Sequence, residues 1–416
     1  MKLTLIGICF ILIFRLCESL DCTNRDSKEV HLKLKKKMIC DYDKFVSPNQ
    51  DGPINVVFNA ILKSFHFSDD TRTMTIQTWL FIYWSDNRFA WDIKDYEGFE
   101  QTFVPFDLLW VPDIALFESD VKEDLNSCTV TDCNISFNGT VECIMPCEFS
   151  IYCSDAEYSN WPFDYTSCKY LYMSRTKSVK KLNFIGNKLQ VDSDGSYQNE
   201  AWQLNSLSGM VFNQTNALAN TNEPYSCVML TFIIKRDSKE FVYQVIIPAV
   251  LMILMNIFTL ILDADMNERW VLYAIYLFSH EIYNVQLQWM LPSNSDSIPN
   301  VFKYNCDSCY ITVALMLTSL FMKFFSESEE NSELILTVIH KTIKSYPGQF
   351  IMRKDIQVSE NPEINQTLMK KNFNTLIDRV LVVLLIIIYG FMFSTLMPNS
   401  GANLDKPFGI DFESIY

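Results

Sequence analysis

The amino-acid sequence predicts an extracellular all-β sandwich followed by four transmembrane α-helices. Three observations carry the prediction. Met1-Lys2 is followed by an apolar run, Leu3–Phe14, and then by Cys17-Glu18-Ser19, the pattern of a cleaved secretory signal. Between Gly52 and Glu240 hydrophobic residues come in short alternating runs bounded by turn residues, with no long amphipathic helix among them. Beyond Phe241 four apolar stretches each approach the ~20 residues needed to cross ~30 Å of hydrocarbon.

In chain order, residues 1–19 are the signal peptide, and export places the remainder in an oxidising compartment. The Lys-rich segment Val30–Met38 is expected as a short surface helix. Asn55–Leu62, Thr73–Trp84 and Thr231–Ile234 read as strands, with turns at Asp51-Gly52-Pro53, Ser85-Asp86-Asn87 and Asn138-Gly139. Residues 20–240 therefore form the sandwich. The spans are Phe241–Leu262, Trp270–Leu291, Tyr310–Phe325 and Val380–Met397, so 241–325 carries the first three helices and 379–397 the fourth. Residues 326–378 are then a cytoplasmic loop, helical over Glu333–Lys344, and 398–416 an extracellular tail. That loop holds six Lys/Arg against eight Asp/Glu, a weak positive-inside signal, so orientation rests on the signal peptide.

Composition narrows the function. A net charge of −15 argues against nucleic-acid binding and suits a solvated outer domain. Nine cysteines lie between Cys22 and Cys227, which in an exported chain read as disulfides. One or two bridges are expected among Cys128, Cys133, Cys143 and Cys147. Cys306-Asp307-Ser308-Cys309 has no second pair or His cluster to make a zinc site, and no metal or cofactor is expected. Four scattered His residues and no nucleophile or phosphate-loop motif argue against an enzyme, and no catalytic residue is named. Asn134, Asn138 and Asn213 head glycosylation sequons before the first span, while Asn365 heads one on the cytoplasmic side.

The most specific motif is Cys153 to Cys168, with fourteen residues between them and Trp161-Pro162-Phe163-Asp164 near its end. It resembles the signature loop of the Cys-loop pentameric ligand-gated channels, with Trp161 in place of the first Phe and one residue more than usual. The resemblance implies a Cys153–Cys168 disulfide, worth roughly 3 kcal/mol by loop closure. Trp84-Ser85-Asp86, Trp110-Val111-Pro112-Asp113, Glu223-Pro224-Tyr225 and Val245-Ile246-Ile247-Pro248 are similar to further family segments, and the nicotinic acetylcholine branch fits best.

The resemblance implies a Cys-loop receptor architecture and a subunit of a hetero-pentameric, acetylcholine-gated cation channel in a postsynaptic plasma membrane. Its partners would be other nicotinic-type subunits, acetylcholine, monovalent cations and the lipid bilayer. Aromatic ligand-binding candidates are Trp84, Phe117 and Tyr225, which would hold a quaternary ammonium by cation–π attraction. Arg175 stands where the principal face carries a tryptophan, and Asn220-Thr221 replaces paired cysteines, so a complementary face is implied. Five copies of the second span would line the pore with Val271, Ile275, Phe278, Ile282, Gln286 and Trp289, above a selectivity carboxylate at Glu268. Arg269 would point away from the lumen. Trp161, Pro162, Phe163 and Asp164, with the link Pro292–Tyr304, would couple binding to the pore. The aromatic stripe leaves a second reading open, a non-conducting decoy or an assembly and trafficking partner.

Overall fold

A computed structural model describes residues 29–117, 128–129, 131–153, 155–156, 158–191, 201–215, 223–263, 266–291, 297–327, 337, 341–342, 345 and 362–397. They fall into two compact units: one contains described residues from 29 to 155 and Ser167–Ile234, the other Ala156–Thr166 and described residues from 235 to 397.

The first unit is the β-sandwich. Strand β1 (Ile54–Ser68) pairs antiparallel with β2 (Thr73–Ser85), which pairs along its length with β6 (Thr140–Tyr152). With β3 (Gln101–Pro105), β5 (Asp132–Ser136) and β9 (Leu182–Val191) they give the order β3-β5-β6-β2-β1-β9. The second sheet runs β10-β11-β8-β4, built from Trp202–Thr215, Pro224–Arg236, Tyr165–Ser174 and Ile114–Leu116, with β7 (Asp155–Ala156) beside β8. In β2 the even-numbered residues from Met74 to Trp84 are buried, because successive side chains point to opposite faces. Phe58 and Phe149 of the first sheet pack edgewise or tilted on Tyr172 of the second, with ring centroids 5.0 and 5.4 Å apart.

Asp86 folds one corner of the sandwich. Its buried carboxylate accepts from Arg88 Nε (2.9 Å), Arg88 Nη2 (2.7 Å) and the Tyr42 hydroxyl (3.1 Å). Gly139 closes on the same corner: its φ is +82°, and a Cβ there would lie 2.6 Å from the Asp86 carbonyl oxygen. Three disulfides follow: Cys128–Cys147, Cys133–Cys143 and Cys153–Cys168. Cys40 is also disulfide-bonded, while Cys227, Cys306 and Cys309 are free. Helix α1 (Val30–Cys40) is Lys-rich as expected, yet it buries Leu34 and Met38 against the sandwich core.

The second unit holds α2 (Lys239–Thr259), α3 (Asn267–Met290), α4 (Asn300–Glu327) and α5 (Pro362–Leu396). Among the described residues three helices are both long and apolar enough to cross a membrane: Lys239–Thr259, Asn300–Glu327 and Leu368–Leu396. The expected second span differs. Its 24 residues reach about 36 Å at ~1.5 Å per residue, but Glu268, Arg269, His280, Glu281 and Asn284 make it amphipathic. Helix α4 begins ten residues before the expected Tyr310, and α5 begins at Pro362, inside the stretch read as loop. The α4 extension buries Asn305 and Ser308, and the α5 extension buries Asn372, Asn374 and Asp378. Asn256 Nδ2 donates to the Tyr389 hydroxyl (2.8 Å) and to Thr312 Oγ1 (3.0 Å). His280 Nδ1 lies 2.9 Å from Asn305 Oδ1, and Ser308 bonds Tyr389 (3.0 Å). One buried network thus joins all four helices, every member satisfied, as a low-dielectric interior demands. The segment Glu333–Lys344 lies mostly outside the described residues.

Candidate functional site

The aromatic candidates do not form one cage within the chain. Trp84 is 3% exposed and packs in the sandwich core, its ring edge-on to Trp110 at 6.1 Å. This corrects the expectation that Trp84 offers its face to a ligand. Trp84 shares the inward parity of Ile82 and Leu80, and its indole Nε1 meets no acceptor. Phe117 is half-exposed at the end of β4, its N–H bonded to the Leu171 carbonyl (2.8 Å). Tyr225 is 6% exposed and packs with Leu171, Met173 and Met229 on β8 and β11. Arg175 is exposed just beyond β8, and residues 220–221 lie outside the described residues.

The most exposed ring on the outward face of β2 is Trp79, 42% exposed, with Phe81 and Tyr83 partly buried on the same parity. It borders an open hollow of about 290 Å³ lined by Lys63, Gln77, Thr78, Trp79, Thr129, Pro146, Cys147 and Glu148. The Lys63 ammonium lies over the indole, 4.4 Å from its centroid. Register explains the wall: Trp79 stands opposite Pro146, Thr78 opposite Cys147 and Gln77 opposite Glu148. Gln77 Nε2 donates to Glu148 Oε2 (3.2 Å), and Thr129 N–H donates to the Pro146 carbonyl (2.8 Å) beside the Cys128–Cys147 bridge. An aromatic face with an acidic rim can attract a cation. The sequence carried the signal for Trp79 in the alternation of β2.

Two loops on the other sheet are tied together. Asp113 Oδ2 accepts from Ser174 Oγ (2.8 Å) and Thr176 Oγ1 (2.6 Å), and Lys177 pairs with Asp113 at 3.4 Å. Glu223 accepts from Lys180 Nζ (2.7 Å) and Ser178 Oγ (2.6 Å), which together hold its carboxyl below the usual carboxylate range.

The tip of the Cys153–Cys168 loop belongs to the helical unit. Trp161 is fully buried in the helical core, 5.2 Å from the Phe241 ring. Asp164 makes a bidentate pair with Arg236 (2.8 and 3.0 Å), both side chains nearly inaccessible. The Arg236 guanidinium also lies 5.6 Å from the Phe241 centroid. Pro162 is buried between them in sequence and Phe163 is half-buried. The Asn300 N–H, first residue of α4, donates to the Ser159 carbonyl (3.1 Å). So the loop touches the heads of α2 and α4. Residues 292–296 of the expected link lie outside the described residues.

On α3, Glu268, Val271, Ile275, Phe278, Ile282, Val285 and Trp289 form one exposed stripe at helical spacing, Phe278 being 68% exposed. Gln286 is a correction: it is half-buried, its Nε2 3.4 Å from the Gln244 carbonyl, and Val285 takes its place. Arg269 turns inward. Its Nη1 and Nη2 bond the Asp378 carboxylate (2.9 and 2.8 Å) and Nη1 also bonds the Leu262 carbonyl (2.9 Å). Asn138 and Asn213 are exposed, while Asn134 is half-buried on β5 with its amide donating to Gln101 (3.1 Å).

Comparisons agree with this geometry. Residues 31–238 match the neurotransmitter-gated ion-channel ligand binding domain. The chain is 25% identical to the neuronal acetylcholine receptor subunit alpha-5 of Homo sapiens over 328 residues, 78% of this chain and 69% of that protein. It is 25% identical to subunit alpha-6 of Mus musculus over 356 residues (84% and 70%), and 25% identical to subunit beta-3 of Gallus gallus over 281 residues (67% and 60%). Domain match, disulfide loop and helical unit converge on one conclusion: the chain belongs to the Cys-loop family of neurotransmitter-gated ion channels, as a divergent, nicotinic-like subunit.

Proposed function

We propose that the chain is a non-alpha subunit of a hetero-pentameric, acetylcholine-gated cation channel of the postsynaptic plasma membrane. Its partners are other nicotinic-type subunits, and it contributes a complementary rather than a principal agonist face. The observation that carries the cation assignment is the first turn of α3. There Glu268 is exposed at the foot of the stripe, and Arg269, the adjacent opposite charge, is buried against Asp378. Five such carboxylates around one axis would raise local cation concentration and reject anions. The exposed Arg175 opposes a principal face, since a guanidinium repels an ammonium ligand. On the complementary side the outward indole is Trp79. The Asp164–Arg236 pair and the Asn300–Ser159 bond supply a path from the disulfide loop to α2 and α4.

The test is acetylcholine-evoked current from cells expressing an alpha-type nicotinic subunit, with and without this chain, then with Glu268→Gln. A cation current created or altered by the chain, with conductance or selectivity changed by the substitution, supports the proposal. A second reading, a non-conducting decoy or assembly partner, is favoured by Ile275 and Phe278 in the exposed stripe, which in a ring would shed water. Surface assembly with current abolished, or indifferent to Glu268→Gln, selects it.

A further inference from the structure

We propose that Lys63 is a tethered cation that occupies the indole face of Trp79 and disfavours small organic cations there, making Lys63 a specificity-determining residue of this face. The inference rests on reading the Trp79 hollow as the chain's complementary binding surface. Three observations carry it. The Lys63 ammonium lies 4.4 Å from the ring centroid, well inside the ~6 Å reach of a cation–π contact. It reaches that place through a β-bulge. The β1–β2 register runs Leu62↔Thr78 and then Ser64↔Gln77, so the ladder shifts by one residue at Lys63. The outward face therefore carries two consecutive residues where an unbroken strand offers one. Ser64 takes the cross-strand position and its Oγ bonds Gln77 Oε1 (2.9 Å), while Lys63 leans over the neighbouring ring. Finally, the hollow is held open by rigid parts: Pro146 opposite Trp79, and the Cys128–Cys147 bridge along its wall.

A lysine lying on an exposed tryptophan by chance would be an ordinary surface contact. Here the bulge, the fixed Gln77–Glu148 pair and the walled hollow place it where a ligand ammonium would have to sit. Such a ligand must displace Lys63 and forgo part of the attraction that the ring offers. Removing the charge while keeping a comparable stem should uncover the ring.

The experiment uses the full chain in lipid nanodiscs with tetramethylammonium as the probe, its affinity read by saturation-transfer NMR. Lys63→Gln should tighten binding roughly 2- to 30-fold, the range a released cation–π contact allows. Lys63→Arg, which keeps a cation over the ring, should remain at the wild-type level. The gain should vanish in Lys63→Gln combined with Trp79→Leu. No tightening in Lys63→Gln, no measurable binding to that variant, or an equal gain without the indole would each overturn the proposal. A second readout needs no ligand. After ¹³C-methylation of lysines, one resonance should be shifted upfield by the ring and lose that shift in Trp79→Leu; no such resonance overturns the geometry. Neither readout uses current, so a subunit that never conducts defeats the channel proposal without touching this one.

Discussion

The buried pair at the disulfide-loop tip gives the sharpest test of the structure. Asp164→Leu removes a carboxylate that receives two hydrogen bonds from Arg236, at 2.8 and 3.0 Å, where the side chains are 0% and 3% exposed. Solvent cannot replace the lost counter-charge at such depth, and breaking a buried pair from one side costs about 3–5 kcal/mol. At about 2–4 °C per kcal/mol for a unit of this size, the melting midpoint of detergent-extracted chain should fall by roughly 6–20 °C. Removing both charges is a different perturbation. Asp164→Leu with Arg236→Met leaves no buried ion, and apolar replacement of a buried pair is often neutral. The double variant should therefore lie closer to wild type than Asp164→Leu alone, a coupling of opposite sign to simple addition. The assay is the size-exclusion midpoint of heated samples for the four proteins of the cycle. A loss below 3 °C in Asp164→Leu, or a double variant as unstable as the sum of its parts, would refute the reasoning.

Four further outcomes follow from the same geometry. Trp84→Ala should destabilise the sandwich by about 3–5 kcal/mol through its cavity, whereas Trp79→Ala should stay within ~1 kcal/mol; comparable thermal losses would show that the two rings are misplaced. Gly139→Ala combines a positive φ with a Cβ 2.6 Å from a backbone oxygen, so it should lower folded yield at the cell surface by several-fold, while Gly98→Ala, strained by its own positive φ of +89° but meeting no neighbour at its Cβ, should do so less. Burial pushes the Cys227 thiol up from 9.0 to about 11, so its alkylation should keep accelerating tenfold per pH unit beyond pH 9, where an ordinary thiol levels off. By linkage the folded state binds the proton more tightly than the unfolded chain, so Cys227 contributes stability below pH 9 that is lost as pH rises toward 11, a trend a Cys227→Ala variant should lack.

The fold was legible because its two periods are plain. Met74, Ile76, Leu80 and Ile82 alternate along β2, and Val271, Ile275, Phe278 and Ile282 recur on one face of α3. The site was less legible for the same reason misapplied. Trp84 and Trp79 are five residues apart on one strand, so they must face opposite ways, and the apolar even-numbered run already placed Trp84 inside. The Trp84-Ser85-Asp86 motif marks instead a corner that Asp86 and Arg88 build. Helix ends are hard to read from sequence where polar residues serve the interior. Asn305 and Ser308 look like chain outside a membrane, yet they pair with His280 and Tyr389 in the bundle. Hydropathy counts such groups as exposed, and only their partners reveal otherwise. Gln286 and Val285 straddle the edge of the stripe, and which one points outward is decided by the Gln244 carbonyl, a tertiary contact no periodicity contains.

The two buried Arg–carboxylate pairs of the helical unit do related work at different places. A desolvated ion pair adds little net stability compared with good apolar packing, so stability alone does not account for either. What both do is fix where a charge cannot go. At the loop tip, Arg236 is held between Asp164 and Phe241, three residues before α2 begins, so the entry of that helix is fixed to the disulfide loop. On α3, Arg269 and Glu268 are adjacent, about 100° apart around the helix axis. Were Arg269 free to swing outward, its charge would cancel that of Glu268 within a few ångströms and the foot of the stripe would be neutral. Two hydrogen bonds donated to Asp378 and one to the Leu262 carbonyl prevent it. The negative charge of Glu268 is therefore left uncompensated by a residue on another helix, fifth in order, whose only visible sequence signal is an aspartate just before an apolar span.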